Sequence, residues 1–255
     1  MQAVIAALLL LTCFTGLAGA GSDPEWQLIR PGVQYAVWPV VSAYGSPSVH
    51  LLRLNLKQVN LRPLPVADFG AAMPVEEFAR YNLGVVAVVN ANFFSTRHEK
   101  TVPMGLVVQD GRILNPPIRS QAWGIFLIDA RGARIVRPVE YRHSKAVRLA
   151  LQGMPNLLEH GRILKLKAQI AQRTAVGIRP DKTVVLLISR QGSRLSLGDL
   201  ARAMRELGCI SALNFDGGAS TQLWMKKPGG EVLLERGFNK VPVALGVFVK
   251  EKSPK

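Results

Sequence analysis

The stretch Asn214-Phe215-Asp216-Gly217-Gly218-Ala219-Ser220-Thr221 brings together the residue types that handle a phosphate or a sugar. Asp216 supplies a carboxylate. Gly217 and Gly218 carry no side chain to block a ligand and allow backbone conformations closed to other residues. Consecutive amides in such a loop can point at one anion. Ser220 and Thr221 add hydroxyl donors. Taken alone, Asp-Gly-Gly also reads as a tight turn with a capping Asp. The polar residues that follow run past what a turn requires.

Two further segments have chemical potential. Asn90-Ala91-Asn92-Phe93-Phe94 offers amides that donate to and accept from sugar hydroxyls, and rings that stack on a sugar face. The same residues also serve as strand-end caps and core aromatics. Arg173-Thr174 offers a guanidinium able to clamp a phosphate bidentately, or an ordinary solvated strand residue. No metal site is expected, because His50, His98, His143 and His160 lack ligand spacing and the Asp216 loop lacks the acidic density of a calcium loop. No cofactor motif is present. Ser193 and Ser220 lie outside any Gly-x-Ser-x-Gly elbow, which argues against a serine hydrolase.

These segments need a rigid frame. Val33 to Val40 and Val49 to Leu56 alternate like strands. Pro63 and Pro65 break the stretch that follows. Pro74 to Tyr81 reads as a short helix with proline and glutamates in its first turn. Val85 to Val89 is a strand buried on both faces, and it delivers Asn90 at its end. Hairpins centre on Asp110-Gly111 and on Arg131-Gly132. Arg173 to Ile178 and Thr183 to Ser189 are strands. Ser196 and Asp199 form a capping box for a helix with Leu197, Leu200, Ala201, Met204 and Leu207 on one face, ending at Gly208. Ile210 to Asn214 then leads into the Asp216 loop, and Thr221 to Met225 and Val243 to Val249 close the fold. The expected class is α+β: a mixed, largely antiparallel sheet core with flanking helices in a single domain.

Composition sets the compartment and the charge. The chain has 255 residues, 48% hydrophobic, with enough material for one large core. Residues 1–20 carry no charged side chain, and Ala18-Gly19-Ala20 fits a cleavage site, so a signal peptide is expected at 1–20 and a mature domain at 21–255. No transmembrane span is expected in that mature domain. Cys209 would then be the last cysteine, a small buried hydrophobe in a periplasmic or secreted bacterial protein without disulfides. The net charge of +15 favours anionic partners, among them phosphate-bearing carbohydrate and anionic envelope polymers. The basic residues are dispersed and no nucleic-acid motif accompanies them, so no specific nucleic-acid partner is expected.

These segments resemble the phosphodiester glycosidase family, whose animal member uncovers mannose 6-phosphate. The family's Asn-Gly-Gly-Tyr-Phe-like segment is matched by Asn90 to Phe94, and its Pro-x-Gly segment and hairpin by Pro103-Met104-Gly105 and Asp110-Gly111. Its Arg-Thr-Ala-x-Gly segment is matched by Arg173 to Gly177. Its Asn-Leu-Asp-Gly-Gly-Gly-Ser-Thr signature is matched by Asn214 to Thr221, and a final strand by Val241 to Leu245. The chain departs from the pattern at Ala91, Asn92 and Ala219.

The resemblance implies an exported hydrolase that cleaves a sugar-1-phosphodiester at its glycosidic bond, in an envelope or extracellular glycan. Asp216 is then the central carboxylate, acting as base or nucleophile. Asn90, Asn92 and Phe93 orient the sugar. Arg173 and Thr174 assist the phosphate, and Gly217, Gly218, Ser220 and Thr221 shape its pocket. Glu99, or His98, is a candidate second acid or base, although both fit a solvated loop. The three departures keep open a non-catalytic phosphoglycan-binding protein.

Overall fold

Strand pairing accounts for most of the chain. The computed structural model describes residues 23–67 and 69–251. The expected signal segment 1–20 lies outside the described residues. An eight-stranded sheet runs in the order Gln27–Arg30, Val33–Pro39, Ser48–Leu54, Val184–Ser189, Thr174–Ile178, Ser211–Asn214, Asn156–Glu159, Arg162–Ile163. A five-stranded sheet runs Val232–Glu235, Leu223–Lys226, Val85–Asn90, Val243–Val249, Val59–Pro65. A second five-stranded sheet runs Gly132–Val136, Gly124–Asp129, Leu149–Gly153, Val107–Gln109, Arg112–Asn115. The inner faces of all three meet in one apolar core that includes Leu52, Val89, Phe126, Leu186 and Phe215.

Every pairing between named strands is antiparallel, and among the described residues only two α-helices flank the sheets, α1 (Val75–Tyr81) and α2 (Leu197–Glu206). The fold is therefore richer in strand, and less mixed, than the expected α+β arrangement. The physical reason lies in the connections. Hairpin turns such as Asp110-Gly111, both in the left-handed region, return the chain beside its predecessor and force antiparallel pairing.

The buried strands alternate between two interiors. In Val184–Ser189, Val184, Leu186 and Ile188 enter the central core, while Val185 and Leu187 pack under α2. In Val85–Asn90, Ala87 and Val89 face the central core, and Val85 and Val88 face α1. The Ser196–Asp199 capping box starts α2 as the sequence predicts. Pro63 and Pro65 do not break their segment. They belong to Val59–Pro65, the last strand of its sheet, paired to Val243–Val249. An edge strand needs hydrogen bonds on one side only, so a missing amide can face outward. No described helix is long and apolar enough to cross a membrane.

Candidate active site

Strand ends deliver the chemistry to one place. Thr174–Ile178 lies between Val184–Ser189 and Ser211–Asn214, so Arg173 and Phe215–Asp216 emerge at the same edge of the large sheet. Val85–Asn90 ends beside them. The Asp216 amide donates to the Ala91 carbonyl at 2.9 Å, and the Phe215 amide donates to the Thr174 carbonyl at 2.9 Å.

Asn90 ties these ends together. Its Nδ2 donates to the Asp216 carbonyl at 2.6 Å. Its Oδ1 accepts from the Thr174 hydroxyl at 2.7 Å and from the Gln222 amide at 3.0 Å. Asn90 and Thr174 are fully buried and stand behind the loop rather than in front of it. Asn92 is also buried, and its Nδ2 donates to the carbonyls of Met104, at 3.3 Å, and Leu106, at 3.1 Å. Its contacts hold the Pro103-Met104-Gly105 turn in place.

A cavity of about 680 Å³ opens in front of the loop. Of the residues singled out from the sequence, Phe93, Arg173, Asp216, Gly217 and Gly218 line it. Asn90, Asn92, Thr174, Ser220 and Thr221 do not. His98 and Glu99 are exposed at the tip of the hairpin that joins Phe94–Arg97 to Lys100–Pro103, away from the cavity lining.

Asp216 is buried enough that loss of hydration outweighs its hydrogen bonds. Burial pushes the carboxyl up to about 6, opposed by the Ser220 hydroxyl and the Gly217 amide, which donates to Oδ1 at 2.9 Å. The loop is built around that carboxyl. Gly217 passes so close to the Gln172 carbonyl that a Cβ would come within 2.6 Å of it, and Gly218 sits at φ +59°. The loop does not form the amide cradle that its glycines predict. The Gly218 amide donates to Gln172, Ser220 to Gly217, and Thr221 to Gly218, so these donors are already engaged.

Arg173 is the charged group that faces the cavity beside the loop. It is 4% exposed and has no carboxylate partner among the described residues. Nε donates to the Leu195 carbonyl at 3.1 Å and Nη2 to the Gln169 carbonyl. Burial lowers its pKa to about 10, which still leaves it charged at neutral pH. A buried cation without a counter-ion on the wall of a cavity is a ready anion site.

Sequence reasoning missed the rest of the wall. Lys165 and Lys167 line it, as do Arg137 and Glu159, which pair through two hydrogen bonds of 3.0 and 2.5 Å. Glu159 is the other carboxylate on the wall. Asn156 pairs with Leu213 in antiparallel strands, and the two acids leave that pair in opposite directions. Their backbones are offset by roughly 15–20 Å along the strands, and the Glu159 carboxylate is already engaged by Arg137. The signal for this wall was weak, since Leu164 to Gln169 is an irregular segment without periodicity. Among the described residues, no three of His, Cys, Asp and Glu gather as metal ligands. Cys209 is buried, and burial raises its thiol to about 12.

Residues 83–248 match the family model described as phosphodiester glycosidase. Among the solved structures that resemble the fold are the following three. The catalytic domain of zebrafish N-acetylglucosamine-1-phosphodiester alpha-N-acetylglucosaminidase, auto-inhibited by its pro-peptide, is 16% identical with a TM-score of 0.70, over 86% of this chain and 84% of that one. A hypothetical protein from Synechocystis is 18% identical with a TM-score of 0.64, over 89% of this chain. This chain spans 64% of that protein's length. A Burkholderia pseudomallei protein provisionally described as exported is 16% identical with a TM-score of 0.51, over 80% and 74% of the two chains. At such identities the likeness establishes the fold alone. No curated protein matches the sequence.

Proposed function

The chain belongs to the phosphodiester glycosidase family, and from that premise we propose that it hydrolyses the glycosidic bond of a sugar-1-phosphodiester, with Asp216 as general base and Arg173 at the phosphate. One observation carries this reading. A carboxyl raised to about 6 and a buried guanidinium without a carboxylate partner line the same cavity.

The chemistry follows from the two groups. At neutral pH a carboxyl titrating near 6 is mostly ionised and close to the ideal strength for a base. Asp216 takes a proton from water as the water oxygen bonds to the anomeric carbon. The bond from that carbon to the phosphate oxygen breaks, and its electron pair leaves with the phosphate. A phosphate monoester needs little acid help to depart, because its second pKa is about 6. Arg173 stabilises the growing negative charge, and Lys165 and Lys167 extend the positive wall. A covalent route would consume Asp216 as an ester and need a second carboxyl to activate water, and the Glu159 carboxylate is already paired with Arg137. Phe93 offers a ring to the sugar.

We place the substrate in an envelope or extracellular glycan. The uncharged apolar N-terminal stretch and the net charge of +15 support export and an anionic target. The non-catalytic alternative drew on Ala91, Asn92 and Ala219, and none of the three lines the cavity.

The test is turnover of a panel of sugar-1-phosphodiesters by the wild type and by Asp216→Asn. The variant is expected to lose at least about 1000-fold in kcat while its fold persists. Equal turnover by both proteins refutes the assignment.

A further inference from the structure

A second concave surface lies at the other end of the sheets. It is a groove of about 690 Å³ lined by twelve residues, of which six are basic: Lys57, Arg131, Lys145, Arg148, Lys182 and Lys250. Across the chain, Lys and Arg make up 32 of 255 residues, so the groove concentrates them about fourfold. Asp129 is the only acid in the lining, and Arg131 and Arg134 already pair with it, at 3.3 and 2.5 Å. Lys57, Lys145, Arg148, Lys182 and Lys250 have no carboxylate partner among the described residues, and Lys250 donates to the Leu56 carbonyl at 2.7 Å. Like charges around a concave wall reinforce one another, because the low-dielectric protein focuses their field into the groove.

The groove is separate from the catalytic cavity. Strand Leu149–Gly153 connects them: Arg148, just before it, lines the groove, and Met154, just after it, lines the cavity. That path is roughly 20 Å. A single sugar phosphodiester cannot touch both.

We propose that this groove binds a linear polyanion carrying closely spaced phosphates, independently of the Asp216 cavity. The lining distinguishes this ligand from others. Five of the six cations lack a carboxylate partner among the described residues, so the groove as a whole carries more positive charge than one small anion neutralises. None of the lining residues is aromatic, which removes the stacking platform that single-stranded nucleic acid uses. The same lack of Trp, Tyr and Phe, together with the concave shape, removes the anchors typical of a membrane-lying surface. What remains is an excess of unpaired cations around one groove, which matches a flexible chain that carries many phosphates.

The experiment measures binding of labelled linear inorganic polyphosphate to the full chain at several salt concentrations. Three proteins are compared: wild type, a groove variant (Lys57→Gln, Lys145→Gln, Lys182→Gln) and a charge-matched control (Arg80→Gln, Arg205→Gln, Lys240→Gln). All six positions are exposed, and thermal unfolding verifies the fold of each protein. The groove variant is expected to bind at least tenfold more weakly, with a salt slope lower by about three, while the control retains wild-type binding. Orthophosphate at the same phosphate concentration is expected not to displace the polymer. Equal losses in both variants would show a diffuse basic surface and overturn the proposal. So would displacement by orthophosphate, or binding to phosphatidylglycerol vesicles without binding to polyphosphate.

Discussion

Two aspartates in this protein are withdrawn from solvent and titrate in opposite directions. Asp199 opens α2, and burial alone would raise its carboxyl. Hydrogen bonds from Ser196 and Ser42, with the adjacent Arg202, more than offset that and hold it below the usual range. Asp216 opens onto the cavity with one hydroxyl and one amide, which are too few, and burial pushes it up to about 6. The difference is one of completeness. A fully satisfied buried acid is a structural part, fixed in its charged form. An incompletely satisfied one sits near neutrality and remains able to exchange a proton. The residue type is the same, and its surroundings decide its use.

Substituting each aspartate in turn tests that contrast most sharply. Asp216→Asn is expected to lower kcat at least about 1000-fold, equivalent to about 4 kcal/mol of transition-state stabilisation. Asp199→Ala is expected to leave kcat within about twofold at a temperature where it is folded. It should lose about 1–2 kcal/mol of unfolding free energy, because the helix cap goes together with an ion pair whose arginine is half exposed. Steady-state kinetics and urea unfolding on both variants check it. A large kcat loss in Asp199→Ala would erase the distinction.

Arg173 extends the comparison to a cation. Arg173→Lys keeps the charge but cannot reach the Leu195 and Gln169 carbonyls and the cavity at once. A loss of roughly 10–100-fold in kcat/KM is expected, with weaker inhibition by inorganic phosphate. Unchanged phosphate inhibition would remove Arg173 from the phosphate site.

Much of this contrast was legible in the sequence, for local reasons. The capping box at Ser196 and Asp199 is a four-residue pattern, and the Asp216 loop is a run of residue types with one chemical theme. Buried strands such as Val184–Ser189 declare themselves by composition. What escaped depends on long-range placement. Val59–Pro65 is a strand because it lies at a sheet edge, which its own prolines could not reveal. Asn90 and Thr174 stand behind the loop because two strands end side by side. The Gly218, Ser220 and Thr221 amides look free in sequence and are engaged in the fold. The Lys165 and Lys167 wall comes from an irregular segment that carries no period to read.

The raised pKa of Asp216 also has a stability consequence of definite sign. In the unfolded chain an aspartate titrates near about 3.9. With the folded value raised to about 6, the native state binds the proton more tightly between those values. Stability is full below about pH 4 and is lost as pH rises through 6. Asp216→Asn lacks that penalty, though its uncharged amide oxygen accepts more weakly from Ser220 and Gly217. It is expected to be about 1–2 kcal/mol more stable than wild type at pH 8, with the gap closing by pH 4. Urea unfolding at the two pH values measures it. A gap that widens toward acid would reverse the sign and contradict a raised carboxyl.

The smallest effect addresses what sets that carboxyl. The Ser220 hydroxyl stabilises the ionised form of Asp216 and so opposes burial. Since Asp216 must be ionised to act as a base, kcat/KM is expected to rise with pH along a limb centred near about 6 and then level off. Ser220→Ala removes one donor and leaves the Gly217 amide. The limb should move to higher pH by about 0.5–1 unit, a change of about 1 kcal/mol, with the plateau rate little altered. Movement to lower pH would mean that Ser220 holds the protonated form instead. Asp216 would then owe its strength to that bond rather than to its burial at the cavity wall.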